Sequence, residues 1–146
     1  MEQVEDSFGN VYRGELLNGK RNGHGTLVYA ETRDIFQGDF ENDVPHGRGK
    51  YFRFGSHGFE GLWENGTLTQ VKSGQATLVE KNGDKYKGTF ENWKRHGVGK
   101  LIKSNGERYL GEFKDGLRHG TGTIYFADGS QYKGIFRKGE KETIKF

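Results

Sequence analysis

The 146-residue sequence has no cysteine and a single proline, Pro45. Without cysteine there is no disulfide framework, no Cys-ligated zinc or iron–sulfur cluster and no cysteine nucleophile. Apolar residues make up only 31%, well short of the roughly 45–50% of a globular domain counted with its glycine, so a thick two-layer core is not expected. No apolar run approaches the roughly 18–20 residues of a membrane span. Met1–Gly9 carries Glu2, Glu5 and Asp6, where a signal peptide needs positive charge and then an apolar stretch. The expectation is a soluble, intracellular chain, whose Asn65-Gly66-Thr67 sequon stays unmodified.

What the sequence does have is glycine, 25 residues of it, and 14% Phe, Trp and Tyr. One proline and no three-residue glycine period exclude collagen, and the aromatic content excludes a disordered linker. The glycines must punctuate short, aromatic-rich elements. An aromatic followed two residues later by glycine occurs as Tyr12/Gly14, Phe36/Gly38, Phe59/Gly61, Tyr86/Gly88, Tyr109/Gly111 and Tyr132/Gly134, at intervals of 24, 23, 27, 23 and 23 residues. The period is 23 residues, which identifies a repeat protein.

Further columns keep the same register. A second apolar residue follows four positions after the first aromatic (Leu16, Phe40, Trp63, Phe90, Phe113, Phe136), then usually a turn glycine (Gly19, Gly66, Gly116, Gly139). Next come the Gly-x-Gly pairs Gly23/Gly25, Gly47/Gly49, Gly97/Gly99 and Gly120/Gly122, and a last glycine three before the next aromatic (Gly9, Gly83, Gly106, Gly129). Only Gly55 and Gly58 fall outside these five glycine columns. The longer intervals locate one extra residue in 29–35 and four between Gly66 and Gly74, where Gly-x-Gly has become Gly74-Gln75-Ala76.

Apolar positions alternate with a period of two, and the longest glycine-free stretch, Thr26–Gln37, leaves no room for a stable helix. Asn18-Gly19, Asn82-Gly83, Asn105-Gly106, Asp115-Gly116 and Asp128-Gly129 are tight-turn signals. The fold class is therefore all-β, an elongated single-layer twisted antiparallel meander of stacked hairpins. Its units span about 12–35, 36–58, 59–85, 86–108 and 109–131, with a partial strand over 1–11 and a partial unit over 132–146, all in a single domain. Each unit supplies two strands, so five and a half units give a rod of roughly 50–60 Å at about 4.8 Å per strand.

The pattern Tyr-x-Gly-x-Phe-x-x-Gly-x-x-x-Gly-x-Gly, complete in Tyr109–Gly122 and nearly so in Tyr12–Gly25 and Tyr86–Gly99, resembles the MORN (membrane occupation and recognition nexus) repeat over about Phe8 to Gly139. The departures are Asp43 and Trp93 in the turn-glycine column, Ala76 in the second Gly-x-Gly position and Arg33 in the last column. The resemblance implies a sheet used for protein or membrane association, with no chemistry of its own and no cofactor. Small members similar to this chain serve as adaptors, as in radial spoke heads of cilia and in retinophilin, which implies a cytoskeletal setting with the axoneme first.

On one face of such a sheet, Tyr12, Phe36, Phe40, Phe59, Trp63, Tyr86, Phe90, Tyr109, Phe113, Tyr132 and Phe136 form a ladder of rings, beside glycines that leave space for a ring to lie flat. The ladder reads either as core or as an open groove for a helix or peptide, and both readings stand at this point. Charge is uneven: residues 1–70 hold 7 basic and 11 acidic side chains, residues 71–146 hold 16 and 9. Lys87, Lys94, Arg95, Lys100 and Arg118 in the basic half are candidates for an anionic lipid or acidic protein, with a solvated face as the alternative. Nucleic acid is not expected, because the aromatics sit in structural columns rather than on the basic face.

His46, His96 and His119 precede Gly-x-Gly, but equivalent positions lie two strands, roughly 9–10 Å, apart, so no metal site is expected. No nucleophile–base–acid set stands out, and the Gly-x-Gly elements lack the helix of a phosphate loop, so no catalytic residue is assigned. The strand edges near Gln3–Phe8 and Glu142–Phe146 offer a route to a homodimer.

Overall fold

The computed structural model describes residues 2–142, and within them every regular element is a strand. After β1 (Glu2–Glu5), the hairpins are β2 (Val11–Leu17) with β3 (Lys20–Val28), β4 (Ile35–Glu41) with β5 (Val44–Phe52) and β6 (Gly58–Glu64) with β7 (Thr67–Val79). There follow β8 (Lys85–Glu91) with β9 (Lys94–Ile102), β10 (Arg108–Lys114) with β11 (Leu117–Tyr125) and β12 (Gln131–Arg137) with β13 (Glu140–Lys141). The strands form one antiparallel sheet in sequence order, a meander without crossovers. Backbone contacts divide the chain into two compact units that meet in sequence at Gly74 and Gln75, inside β7.

Each hairpin closes on a two-residue turn in which both residues have positive φ, as at Asn18 (52°) and Gly19 (79°), the geometry that matches the twist of paired strands. The two sequence departures in this column keep that geometry without glycine: Asn42/Asp43 at 50° and 76°, and Asn92/Trp93 at 51° and 69°. The turns between hairpins close with a backbone hydrogen bond donated to the carbonyl three residues back, as from Gly106 N to Lys103 O. In residues 29–34 the one extra residue lengthens that loop, and Arg33 N reaches Tyr29 O four residues back with φ at 65°.

The two glycines of Gly-x-Gly do different work. In β9 the first, Gly97, sits at a register shift with φ at 83°, a bulge. The second pairs with another glycine across each strand boundary. The first unit thereby carries a row Gly14–Gly25–Gly38–Gly49–Gly61, and the second a row Gly88–Gly99–Gly111–Gly122–Gly134. Aromatic rings lie flat across these rows. A Cβ added to Gly25, Gly99 or Gly122 would fall 2.5 Å from Cζ of Tyr12, Tyr86 or Tyr109 respectively, inside any permissible contact.

The core of each unit is built from these rings. In the first, Tyr12, Leu27, Phe36, Phe40 and Trp63 cluster, with Leu16, Tyr29, Tyr51, Phe59 and Leu68 packed at the margin. In the second, Tyr86, Phe90, Leu101, Tyr109, Phe113, Ile124 and Phe136 are buried. Neighbouring rings meet edge to face, for example Phe36 with Trp63 at 4.8 Å and Tyr109 with Phe136 at 5.2 Å, each such pair adding about 0.5–1.5 kcal/mol to its area burial. Glycine removes the side-chain layer beneath the ring, so one sheet buries aromatics that would otherwise need a second layer to cover them.

The four inserted residues lie within β7, the longest strand, which shows two register irregularities against β6. They carry Ala76, which holds the second Gly-x-Gly position, away from Gly61, whose partner becomes Val71. Phe59 therefore faces Gly74 across the ladder and lacks the flat glycine floor its counterparts have; it is half-buried. At the N-terminal edge only Glu2–Glu5 forms a strand, and Asp6–Asn10 turns back on an Asp6 N to Asn10 O bond. Of the C-terminal edge, 143–146 lie outside the described residues.

Candidate functional site

The ring face has a floor, a set of covers and few openings. Of the eleven ladder rings, nine are buried by the chain itself, with Phe36 and Tyr86 at 0% exposure. Of the two readings the sequence leaves open, core holds for Tyr12, Phe36, Phe40, Trp63, Tyr86, Phe90, Tyr109, Phe113 and Phe136: the glycine rows draw these rings against the backbone. Phe59 and Tyr132 are half-buried and keep surface toward solvent.

Three tyrosines on this face are anchored at both ends. Tyr12, Tyr86 and Tyr109 each donate their hydroxyl to the backbone carbonyl three residues on, at Glu15 O (2.7 Å), Thr89 O (2.9 Å) and Glu112 O (2.9 Å). Burial, the first cause, raises the pKa of all three, to about 12 for Tyr86, despite the opposing charge of a nearby arginine. The carboxylates of Glu15 and Glu112 then hold the bulges, accepting the amides of His24 (2.8 Å) and Thr121 (2.7 Å).

Arginines cover the rings. Arg21 lies over Tyr12, Arg95 over Tyr86 and Phe113, and Arg118 over Tyr109 and Phe136 at 5.7 and 4.8 Å, within cation–π reach. These form a further column, two residues after the turn-glycine position and two before the first glycine of Gly-x-Gly, separate from the glycine and aromatic columns. The signal was present as Arg21-Asn22-Gly23, Arg95-His96-Gly97 and Arg118-His119-Gly120. In the first unit Arg21 is paired with Asp6 at 2.8 Å, and in the second Arg95 is paired with Glu80. Between these covers the second unit has a slot of about 170 Å³ lined by Arg95, Leu101, Lys103, Glu107, Leu117 and Arg118 above Tyr109 and Phe113.

The opposite face is polar and exposed. In the second unit, Lys87, Lys100, Leu110, Thr123 and Lys133 stand in register across five strands. Val98, Leu110 and Ile135 are exposed there. The five cations proposed from sequence for anion binding therefore do not form one patch. Lys87 and Lys100 are cross-strand partners on the polar face, Lys94 is exposed beside its turn opposite Glu91, and Arg95 and Arg118 lie on the ring face. Three of the five histidines lie beside carboxylates: His24 by Asp39 (3.5 Å), His46 by Glu41 (3.5 Å) and His96 by Glu91 (3.3 Å). Among the described residues no three His, Asp or Glu side chains converge as a metal site would require.

The MORN repeat model matches residues 12–31, 36–53, 86–108 and 109–131, more than half of the chain. The longest unmatched stretch, 54–85, contains the irregular β7. No curated protein matches the chain.

Proposed function

The chain belongs to the MORN repeat family, whose members generally mediate protein–protein or membrane interactions, and on that premise we propose that it is a non-enzymatic adaptor that holds a helix or peptide of a larger assembly on its ring face. The observation that carries this reading is the construction of that face. In the first unit an aromatic floor under Arg21 leaves Phe59 half-buried; in the second, a floor under Arg95 and Arg118 leaves Tyr132 half-buried and a slot between the two arginines. Aromatic and arginine side chains at the rim of a preformed apolar hollow are the residue types that dominate protein interfaces. A cytoskeletal assembly, the axoneme first, is the setting proposed, on family resemblance.

Buried rings are poor probes of this idea, because replacing Phe90 or Phe113 by a polar residue removes core and unfolds the unit. Phe59→Ser and Tyr132→Ser test it better. Affinity purification followed by mass spectrometry identifies the partner, circular dichroism verifies the fold, and each variant should lose most of the capture. Equal recovery by folded variants and wild type would refute use of this face.

A second reading is a membrane tether, favoured by the in-register row of Lys87, Lys100 and Lys133 with exposed Leu110 between them. Flotation with anionic vesicles should then show binding that fades as salt rises, and Lys87→Glu with Lys100→Glu should abolish it.

A further inference from the structure

We propose that the slot beside Arg118 receives a carboxylate side chain from an acidic segment of a partner protein; this rests on the adaptor reading and names the chemistry of its ligand. The chain itself supplies the comparison. Arg21, Arg95 and Arg118 occupy one column, and fifteen residues before each stand Asp6, Glu80 and Lys103. These three are equivalent in the backbone: each donates its amide to the carbonyl four residues on, at Asn10, Asp84 and Glu107. At the first two positions the carboxylate meets the guanidinium laid over the rings. At the third a lysine stands instead.

Arg118 is thus placed like its counterparts, stacked on Tyr109 and Phe136, but without their acid. Its Nε and Nη2 donate to Gly139 O at 3.1 and 2.7 Å, and among the described residues no carboxylate lies within ion-pair distance of it. What remains is the slot of about 170 Å³, with Leu101 and Leu117 as apolar walls for the methylenes of an incoming side chain.

The charge count selects the ligand. Arg95 is neutralised by Glu80, so Lys103 and Arg118 against Glu107 leave one positive charge on the slot. A single carboxylate balances it. A phosphate group, with about −1.5 to −2, overfills it and faces Glu107 across an apolar floor.

The test is a titration followed at the arginine Nε–Hε resonances by NMR. The probe is acetyl-Leu-Glu-Leu-amide, with acetyl-Leu-Gln-Leu-amide as its neutral control. In wild type the acidic peptide should give a saturable shift at Arg118, and the neutral peptide should bind about tenfold more weakly, as befits one charge-assisted hydrogen-bond pair. Lys103→Glu restores the in-chain acid and should abolish the shift. Glu80→Lys removes the other acid and should create a second saturable shift, at Arg95. Lys103 is exposed and Glu80 half-buried, and thermal midpoints verify folding of both variants.

No saturable shift in wild type, equal binding of the neutral peptide, or an undiminished shift in Lys103→Glu would each overturn the proposal. Tighter binding of inorganic phosphate, or of phosphatidylserine vesicles, than of the acidic peptide at Arg118 would overturn it in favour of a phosphate-bearing ligand. If Lys103→Glu captures the partner as well as wild type while Phe59→Ser and Tyr132→Ser do not, the acid slot fails and the adaptor reading stands. Full capture by all three variants removes both.

Discussion

Replacing Gly122 by alanine isolates the device on which the fold depends. The added Cβ would lie 2.5 Å from Tyr109 Cζ and nearer still to the hydroxyl, and Gly122 is paired with glycine on both sides, so neither neighbouring strand yields space by moving a side chain. The ring must lift. Tyr109 is 3% exposed; giving up half of a buried aromatic's transfer energy costs about 1–1.5 kcal/mol. Losing the hydroxyl bond to Glu112 O costs about 1 kcal/mol, and loosening the edge contacts with Phe113 and Phe136 about 1 kcal/mol more. The total is about 3–3.5 kcal/mol.

The control is Gly129→Ala, where φ is 93° and nothing lies within 4 Å of the new Cβ; only backbone strain of about 1–2 kcal/mol is expected. Urea unfolding followed by circular dichroism measures both. Tyr109→Phe should not rescue Gly122→Ala, because Cζ still collides, whereas Tyr109→Leu should lower its cost to about 1 kcal/mol, the coupling appearing in a double-mutant cycle. If Gly122→Ala costs no more than Gly129→Ala, the ring-on-glycine account is wrong.

Three further outcomes follow from the turns and the ionisable groups. Lys138, at φ 51°, is the only first turn residue of the six hairpin turns that is neither Asn nor Asp, so Lys138→Asn should stabilise by about 0.5–1 kcal/mol, seen as a rise in Tm. The Asp34 carboxyl is held below its ordinary value near 3.8, first by the Tyr51 hydroxyl (2.6 Å) and then by the Phe54 amide (3.0 Å). Its contribution is therefore complete above that value and lost as pH falls below it, and Asp34→Asn should flatten this part of the acid limb in denaturation at a series of pH values. Burial raises the pKa of Tyr12, Tyr29, Tyr86 and Tyr109, Tyr86 to about 12. The stability they lend is present below pH 10, where unfolded tyrosine is neutral, and should decline between about pH 10 and 12, which a thermal melt series across that range measures.

The architecture was legible because each repeat column has a local physical cause. Asn18-Gly19 specifies a turn, Tyr12-x-Gly14 a ring beside a floor, and recurrence every 23 residues turns weak signals into a strong one. What could not be read was which face of the ladder stayed open. The burial of Phe36 depends on Gly38 and Gly49 meeting across two strands, and that follows from register rather than from any one residue. The four-residue insertion was visible as a long interval, but not its effect, since whether Val71 or Ala76 faces Gly61 is decided by where the irregularities in β7 fall.

The arginine column was missed for a different reason, and that reason bears on function. Glycine and ring columns recur because every hairpin must solve the same packing problem, so they report on folding. A column that is filled unevenly, with Arg21, Pro45, Leu68, Arg95, Arg118 and Lys141 in turn, is not required by the fold, since hairpins form with each of those residues. Variation at such a position changes the surface of one hairpin while leaving the backbone alone. The same holds for Asp6, Glu80 and Lys103, which close equivalent turns with opposite charges. In a chain whose repeats are otherwise alike, individuality resides in the columns that break the pattern without breaking the sheet, and two such columns meet at Arg118.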